Sequence, residues 1–142
     1  HTAPINPLYG LHEALVAIFE EGIDVAHARH ARVHGALAAG VEALGLSFLV
    51  DAPHRLPQLN TVRVPEGIDE ARVRDHLLRR YDLEIGAGLG PLKGQVWRIG
   101  LMGASATPWH VRLCLTALGA ALAEQGWNGD AAAAVAAAEA RL

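Results

Sequence analysis

Between residues 23 and 44 the positions Ile23, Ala26, His30, Val33, Leu37, Val41 and Leu44 recur at steps of three or four, the spacing that lines up one face of an α-helix. A helix of that length with a continuous apolar stripe needs other elements laid along it, because packing rather than propensity supplies most of its stability. Asp24 offers a side-chain acceptor near its start, and Gly45 a stop at its end. Gly35 and Gly40 sit inside it at a cost in helix propensity, which points to close packing against a neighbour. His30 falls on the stripe and reads as a hydrogen-bonded core or interdomain histidine.

The remaining segments supply the second layer. Residues 1–9 read as extended, since Pro4 and Pro7 each disfavour helix in the residue before them. Leu11, Leu15 and Ile18 then mark a helix from Gly10 to Glu21, with Leu8 prolonging its stripe upstream and Gly22 ending it. Leu46 to Val50 reads as a short strand, followed by a turn at Asp51-Ala52-Pro53-His54. From Gln58 to Val64 the chain alternates, Leu59, Thr61 and Arg63 on one side and Asn60, Val62 and Val64 on the other. Asp69 caps a helix through Arg80, with Val73, Leu77 and Leu78 facing inward. Leu83-Glu84-Ile85 predicts a brief strand, Gly86 to Pro91 an irregular loop, and Gln95 to Leu101 another strand. Thr107-Pro108 is a cap and first-turn pair for a helix to Ala123, and Asp130 to Arg141 forms an alanine-rich terminal helix. The order α-α-β-β-α-β-β-α-α predicts an α+β fold, an antiparallel or mixed sheet packed on helices in two layers.

Composition narrows the function. With 142 residues, 51% hydrophobic, and a mean hydropathy of +0.20, the chain suits one packed core rather than disorder. A net charge of −3 and a pI near 6.2 give no electrostatic footprint for nucleic acid or an anionic membrane. No apolar run is long enough to span a bilayer and no secretory leader is expected. The single cysteine, Cys114, excludes an internal disulfide and multi-cysteine zinc sites; it reads as a small hydrophobe on a helix's inner face. The expected location is the cytoplasm. The ending Ala140-Arg141-Leu142 matches a peroxisomal address by residue class, but an alanine-rich helix end produces it as readily.

Three clusters invite chemistry. The glycines at 86–94 fit neither a Gly-x-Gly-x-x-Gly nor a Walker pattern, and they precede a strand instead of opening a helix, so no helix N-terminus waits there for a phosphate. His27, His30 and His34 share a helix, but no carboxylate or cysteine joins them, so a solvated face is expected and no metal. Arg98 stands in a strand between Trp97 and Ile99, where an unpaired guanidinium is costly if buried. It either pairs with Glu84 or Asp82, or presents a planar fork that binds a carboxylate bidentately.

The segments Ile85-Gly86-Ala87-Gly88-Leu89-Gly90 and Val96-Trp97-Arg98-Ile99-Gly100-Leu101-Met102-Gly103 resemble the end of the class V, pyridoxal-phosphate-dependent aminotransferases, most closely the alanine–glyoxylate and serine–pyruvate branch. His1-Thr2 resembles the end of that branch's Tyr-His-His-Thr motif. Arg55-Leu56-Pro57-Gln58-Leu59-Asn60-Thr61-Val62 resembles its Arg-Leu-Pro strand, and Ala106-Thr107 the start of its final helix. The agreement runs in order from His1 to about Leu122, with only a loose likeness beyond Gly126.

The resemblance implies the small C-terminal domain of a fold-type I enzyme, residues 22–142, with residues 1–21 connecting it to a large domain. It implies that Arg98 clamps the substrate α-carboxylate and that Thr2 reaches the phosphate of pyridoxal 5′-phosphate across a homodimer interface. The implied reaction moves an amino group from alanine or serine to glyoxylate or pyruvate. Lys93, the chain's one lysine, stands in Gly90-Pro91-Leu92-Lys93-Gly94, which is not the family's cofactor-lysine motif. No catalytic residue is therefore assigned, and this stretch alone is expected to be inactive without its large domain. Two other readings stay open: a class V enzyme for aminoethylphosphonate, pyridoxamine or aspartate, and a free-standing module that binds a small acid or dimerises.

Overall fold

The computed structural model describes residues 2–142; His1, the first residue of the His1-Thr2 pair, lies outside them. The long stripe forms α2 (Ile23–Ala43), burying Ala26, His30, Val33, Leu37 and Val41 with Ala36 and Gly40 beside them. Asp24 does not cap it. Gly22 is the N-cap and no side chain bonds there, so Asp24 contributes only its charge, favourably, at the helix's positive end. α1 (Ile5–Glu21) begins at Ile5 rather than Gly10. Pro7 falls in the first turn, where a missing N–H breaks no intrahelical bond. None of α1's residues is buried.

The sheet has three antiparallel strands: β1 (Leu59–Arg63), β2 (Gly86–Ala87) and β3 (Val96–Gly100), with β3 in the middle. β3 pairs Thr61 with Arg98 and Val62 with Trp97 on one side, and Gly86 with Arg98 and Ala87 with Trp97 on the other. Alternation in β1 holds as predicted: Asn60 and Val62 are buried, while Leu59 and Arg63 are exposed. The buried face, with Val62, Trp97 and Ile99, joins residues of α2, α3 (Glu70–Tyr81), α4 (Pro108–Ala123) and α5 (Ala131–Glu139) in one core. Helices and antiparallel sheet therefore form the expected α+β arrangement.

Two expected strands are displaced. Residues 46–50 contribute only the bridge from Phe48 to Val62, flanked by Leu49 N–H to the Thr61 carbonyl and Arg63 N–H to the Ser47 carbonyl; a tight turn at Ala52–His54 then carries the chain off. Leu83 to Ile85 is not a strand. Asp82 takes a left-handed conformation (φ 49°) as the C-cap of α3, and the Leu83 amide bonds back to the Leu77 carbonyl, so Asp82 and Leu83 close the helix and Glu84 and Ile85 lead on to β2. Pairing begins one residue after Ile85, inside the stretch expected to be irregular.

Two of the three caps read from sequence are present: Asp69 accepts from the amides of Ala71 and Arg72, and Thr107 from that of His110. Asp130, expected as the first residue of the terminal helix, instead caps it, accepting from the amides of Ala132 and Ala133. In α3 Val73 and Leu77 are buried, while Leu78 faces outward.

Candidate functional site

Arg98 lies on the sheet face opposite Trp97 and Ile99, because successive strand residues point to opposite faces. It is half-buried, and its Nε donates to the Ala87 carbonyl at 2.7 Å. Neither alternative partner holds it: among the described residues no ion pair joins Arg98 to Glu84 or Asp82. With Nε fixed and both terminal nitrogens free of partners among the described residues, the guanidinium keeps the two parallel donors that a carboxylate accepts.

The sequence around Arg98 makes room for that fork. Gly86 stands directly across the ladder, and a Cβ there would lie 3.1 Å from Nη2 and 3.4 Å from Cζ and Nε. Gly88 is tighter still: a Cβ would fall 2.0 Å from the Leu92 carbonyl oxygen. Gly86 and Gly88 thus serve close approach, while Gly90 and Gly94 have open space around them and take positive φ.

Arg98 opens onto a cavity of about 350 Å³. Glu84, Gly86, Met102, Ser105, His110 and Cys114 contribute to its wall. Ser105 Oγ donates to the Met102 carbonyl at 2.9 Å and accepts the Met102 amide at 3.1 Å, closing the turn after β3. His110 Nδ1 lies 2.7 Å from Thr107 Oγ1. Cys114 is buried, as its helix position predicted, and burial pushes its thiol up to about 12. It is a packing group, not a nucleophile.

A larger apolar groove of about 690 Å³ lies between α1, α2 and the Met102–Ala104 turn; Met102 borders both spaces. The smaller cavity is the better candidate site, because it holds a guanidinium whose terminal nitrogens have no partner among the described residues.

The three clustered histidines do not converge. His34 Nδ1 donates to the buried Asn60 Oδ1 at 2.7 Å, and His30 bonds to the Ala26 carbonyl, while His27 is exposed. His30 is buried and doubly hydrogen-bonded, as its place on the stripe suggested. Among the described residues no group of three or more metal-ligating side chains comes together.

Thr2 is exposed ahead of α1 and does not line the Arg98 cavity. Lys93 is exposed, at the end of a tight turn over Gly90–Leu92, and does not line it either. The cavity's residues fit a small carboxylate. They do not by themselves fit a pyridoxal phosphate group, which needs a lysine.

Sequence reasoning missed Gly86, Arg29 and the 102–106 turn. Gly86 carries no signal until the strand register is known. Arg29 pairs with Glu21 across a helix break, where no periodicity rule links them.

The chain is 40% identical over 122 residues to (S)-ureidoglycine–glyoxylate transaminase from Bacillus subtilis, covering 86% of this chain and 29% of that protein. It is 41% identical over 123 residues to alanine–glyoxylate aminotransferase from Drosophila melanogaster, covering 86% and 31%. The crystal structure of pyridoxamine–pyruvate aminotransferase from Mesorhizobium loti superposes with a TM-score of 0.95 at 34% identity, over 99% of this chain and 36% of that one. The chain thus spans about a third of the length of the proteins it matches. No protein-family model matches the sequence.

Proposed function

We propose, from the premise that this chain belongs to the class V, fold-type I aminotransferases and matches their C-terminal domain, that it is the substrate-acid half of such an enzyme's active site. The observation that carries this reading is Arg98: Nε anchored to Ala87, the remaining donors free beside Gly86, in a cavity sized for a small acid. The similar proteins are named for three different amino donors, but each is named for a 2-oxo acid acceptor, glyoxylate or pyruvate. A carboxylate beside a carbonyl is what those acceptors share, and a bidentate arginine is the group that recognises and orients it.

In the whole protein, alanine or serine is the proposed donor and glyoxylate or pyruvate the acceptor. Pyridoxal 5′-phosphate would be held mainly by the large domain, which would also supply the lysine. Residues 1–21 would form the connection to that domain and residues 22–142 the small domain. The exposed apolar side of α1, with Leu8, Leu11, Leu15 and Ile18, supports the first assignment. Thr2, in the homodimer, would reach the cofactor phosphate of the partner subunit.

The test is kinetic, in the full-length enzyme. Arg98→Ala should raise KM for amino-acid and 2-oxo-acid substrates by about a hundred-fold, a loss of two charge-assisted hydrogen bonds, and leave the cofactor bound. Arg98→Lys should not restore it, because a point charge lacks the fork. Normal kinetics in both variants would sink the assignment.

A further inference from the structure

Arg29 divides its donors between two segments far apart in the chain. Its Nε and Nη2 grip the Glu21 carboxylate at the end of α1, Nη2 at 2.8 Å from Oε2. Its Nη1 donates to the carbonyls of Gly103 and Ala106, each at 3.0 Å. The next residue adds a third point of attachment: His30 Nδ1 lies 2.6 Å from the Ala26 carbonyl, and Nε2 3.3 Å from the Gly103 amide nitrogen. That geometry requires the neutral tautomer with the proton on Nδ1, which donates to Ala26 while Nε2 accepts from Gly103. The turn over residues 102–106 is therefore fixed to α2 at three places.

The same turn builds the wall of the Arg98 cavity. Met102 and Ser105 line it, and Met102 Cε packs so close to β3 that a Cβ on Gly100 would lie 2.9 Å away. On its other side, the Glu21–Arg29 pair bridges Gly22, the residue between α1 and α2, whose φ of 88° and ψ of 129° break the helix path. Glu21 and Arg29 also line the apolar groove that α1 forms with this turn. α1 buries no side chain of its own, so a bidentate ion pair at its last residue is a disproportionately specific contact.

We propose that Glu21 and Arg29 form a latch across the Gly22 joint that positions the Met102–Ala106 turn and so sets how closely the Arg98 cavity fits its acid. Arg29 is thus a positioning residue for substrate recognition, and the attitude of α1 is coupled to the site through it. The inference rests on the reading of Arg98 as the carboxylate clamp. A lysine could not replace Arg29, since a single ammonium has too few donors, in the wrong geometry, to hold a carboxylate and two carbonyls at once.

The experiment uses the full-length, cofactor-loaded enzyme with Arg29→Gln, Arg29→Lys and Glu21→Gln beside Arg98→Ala. Two quantities are read: amide hydrogen exchange at Gly103, Ser105 and Ala106, and KM against kcat for the acid substrates. Arg29→Gln and Arg29→Lys should each speed exchange in the turn and raise KM about ten-fold with kcat within about three-fold. Glu21→Gln, a change at a half-buried position that leaves the carbonyl bonds in place, should move both in the same direction by about three-fold. Unchanged exchange and KM in the Arg29 variants, while Arg98→Ala is impaired, would overturn the latch alone. A lowered melting temperature with KM unchanged would overturn it too, as a purely structural role. A normal KM in Arg98→Ala would instead overturn the carboxylate reading on which the latch depends.

Discussion

Gly86 faces Arg98 across the β2–β3 ladder, and a Cβ on Gly86 would stand 3.1 Å from the arginine's Nη2. The pair is a fit between an absent side chain and a long planar one. Gly86→Ala introduces no positive-φ strain, because Gly86 is not among the left-handed glycines. The expected effect is therefore on recognition, not folding. The guanidinium must shift by a few tenths of an ångström, enough to spoil bidentate geometry. KM for acid substrates should rise about three- to ten-fold with the melting temperature nearly unchanged, and Gly86→Val should cost considerably more. Steady-state kinetics and calorimetry on the two variants decide it.

The two glycines inside α2 make a paired prediction about stability. Gly40 packs where α2, α4 and α5 meet: a Cβ would fall 2.2 Å from Leu115 Cδ1 and 3.0 Å from the Ala134 carbonyl oxygen. Gly35 has nothing within 4 Å of that position. Gly35→Ala should then stabilise by about 0.5–1 kcal/mol, the ordinary gain in helix propensity. Gly40→Ala should destabilise by about 1–3 kcal/mol, because overpacking exceeds that gain. Denaturant unfolding of both variants tests the pair. Equal shifts of the same sign would mean that the close approach at Gly40 is not real.

These two glycines also mark where the sequence stops being legible. Periodicity placed both inside one helix and suggested close packing, but could not say that only Gly40 meets a neighbour. α3 and α4 were readable because stripe and cap agree locally, Asp69 and Thr107 each capping as their position implies; α2 was readable from its stripe and from Gly45 after it, although Asp24 does not cap it. The strands were harder. Gly86 and Ala87 pair only because β3 lies beside them, and Leu83 is drawn into the end of α3 by a bond to Leu77; neither fact is local. Arg98 was legible as an oddity in an apolar strand, whereas its freedom from Glu84 and Asp82 was not. The start of α1 was misplaced because Pro7 was weighed as a breaker, although in a first turn it costs no hydrogen bond.

Cys114 gives a chemical check on the core. Burial pushes its thiol from the ordinary range near 9 up to about 12, so its thiolate fraction near neutral pH falls by about a thousand-fold. Iodoacetamide should label it slowly in the native protein and rapidly in denaturant. The sign for stability follows from linkage. Because the folded state raises the pKa, this contribution is fully present below pH 9 and is lost as pH rises towards 12. Cys114→Ala should flatten that part of the pH–stability profile. Rapid labelling of the native protein at neutral pH would show that α4 does not bury this side chain as described.

The division proposed at residue 22 can be tested by removal. α1 contributes no buried residue, and the core draws on α2, the sheet and the three later helices. A chain of residues 22–142 should therefore unfold in one cooperative transition, with a melting temperature within a few degrees of the 1–142 chain. What it should lose is local. Without Glu21, Arg29 keeps its bonds to the Gly103 and Ala106 carbonyls but has no carboxylate to orient its fork, so amides in the 102–106 turn should exchange faster while those in β3 keep their protection. The longer chain, in contrast, leaves Leu8, Leu11, Leu15 and Ile18 exposed along α1, an apolar strip that favours self-association. Sedimentation should find concentration-dependent association for residues 1–142 and less of it for residues 22–142. If removing α1 abolished the cooperative transition, residues 1–21 would belong to this domain's own core, and the proposed connection to a neighbouring domain would have to be abandoned.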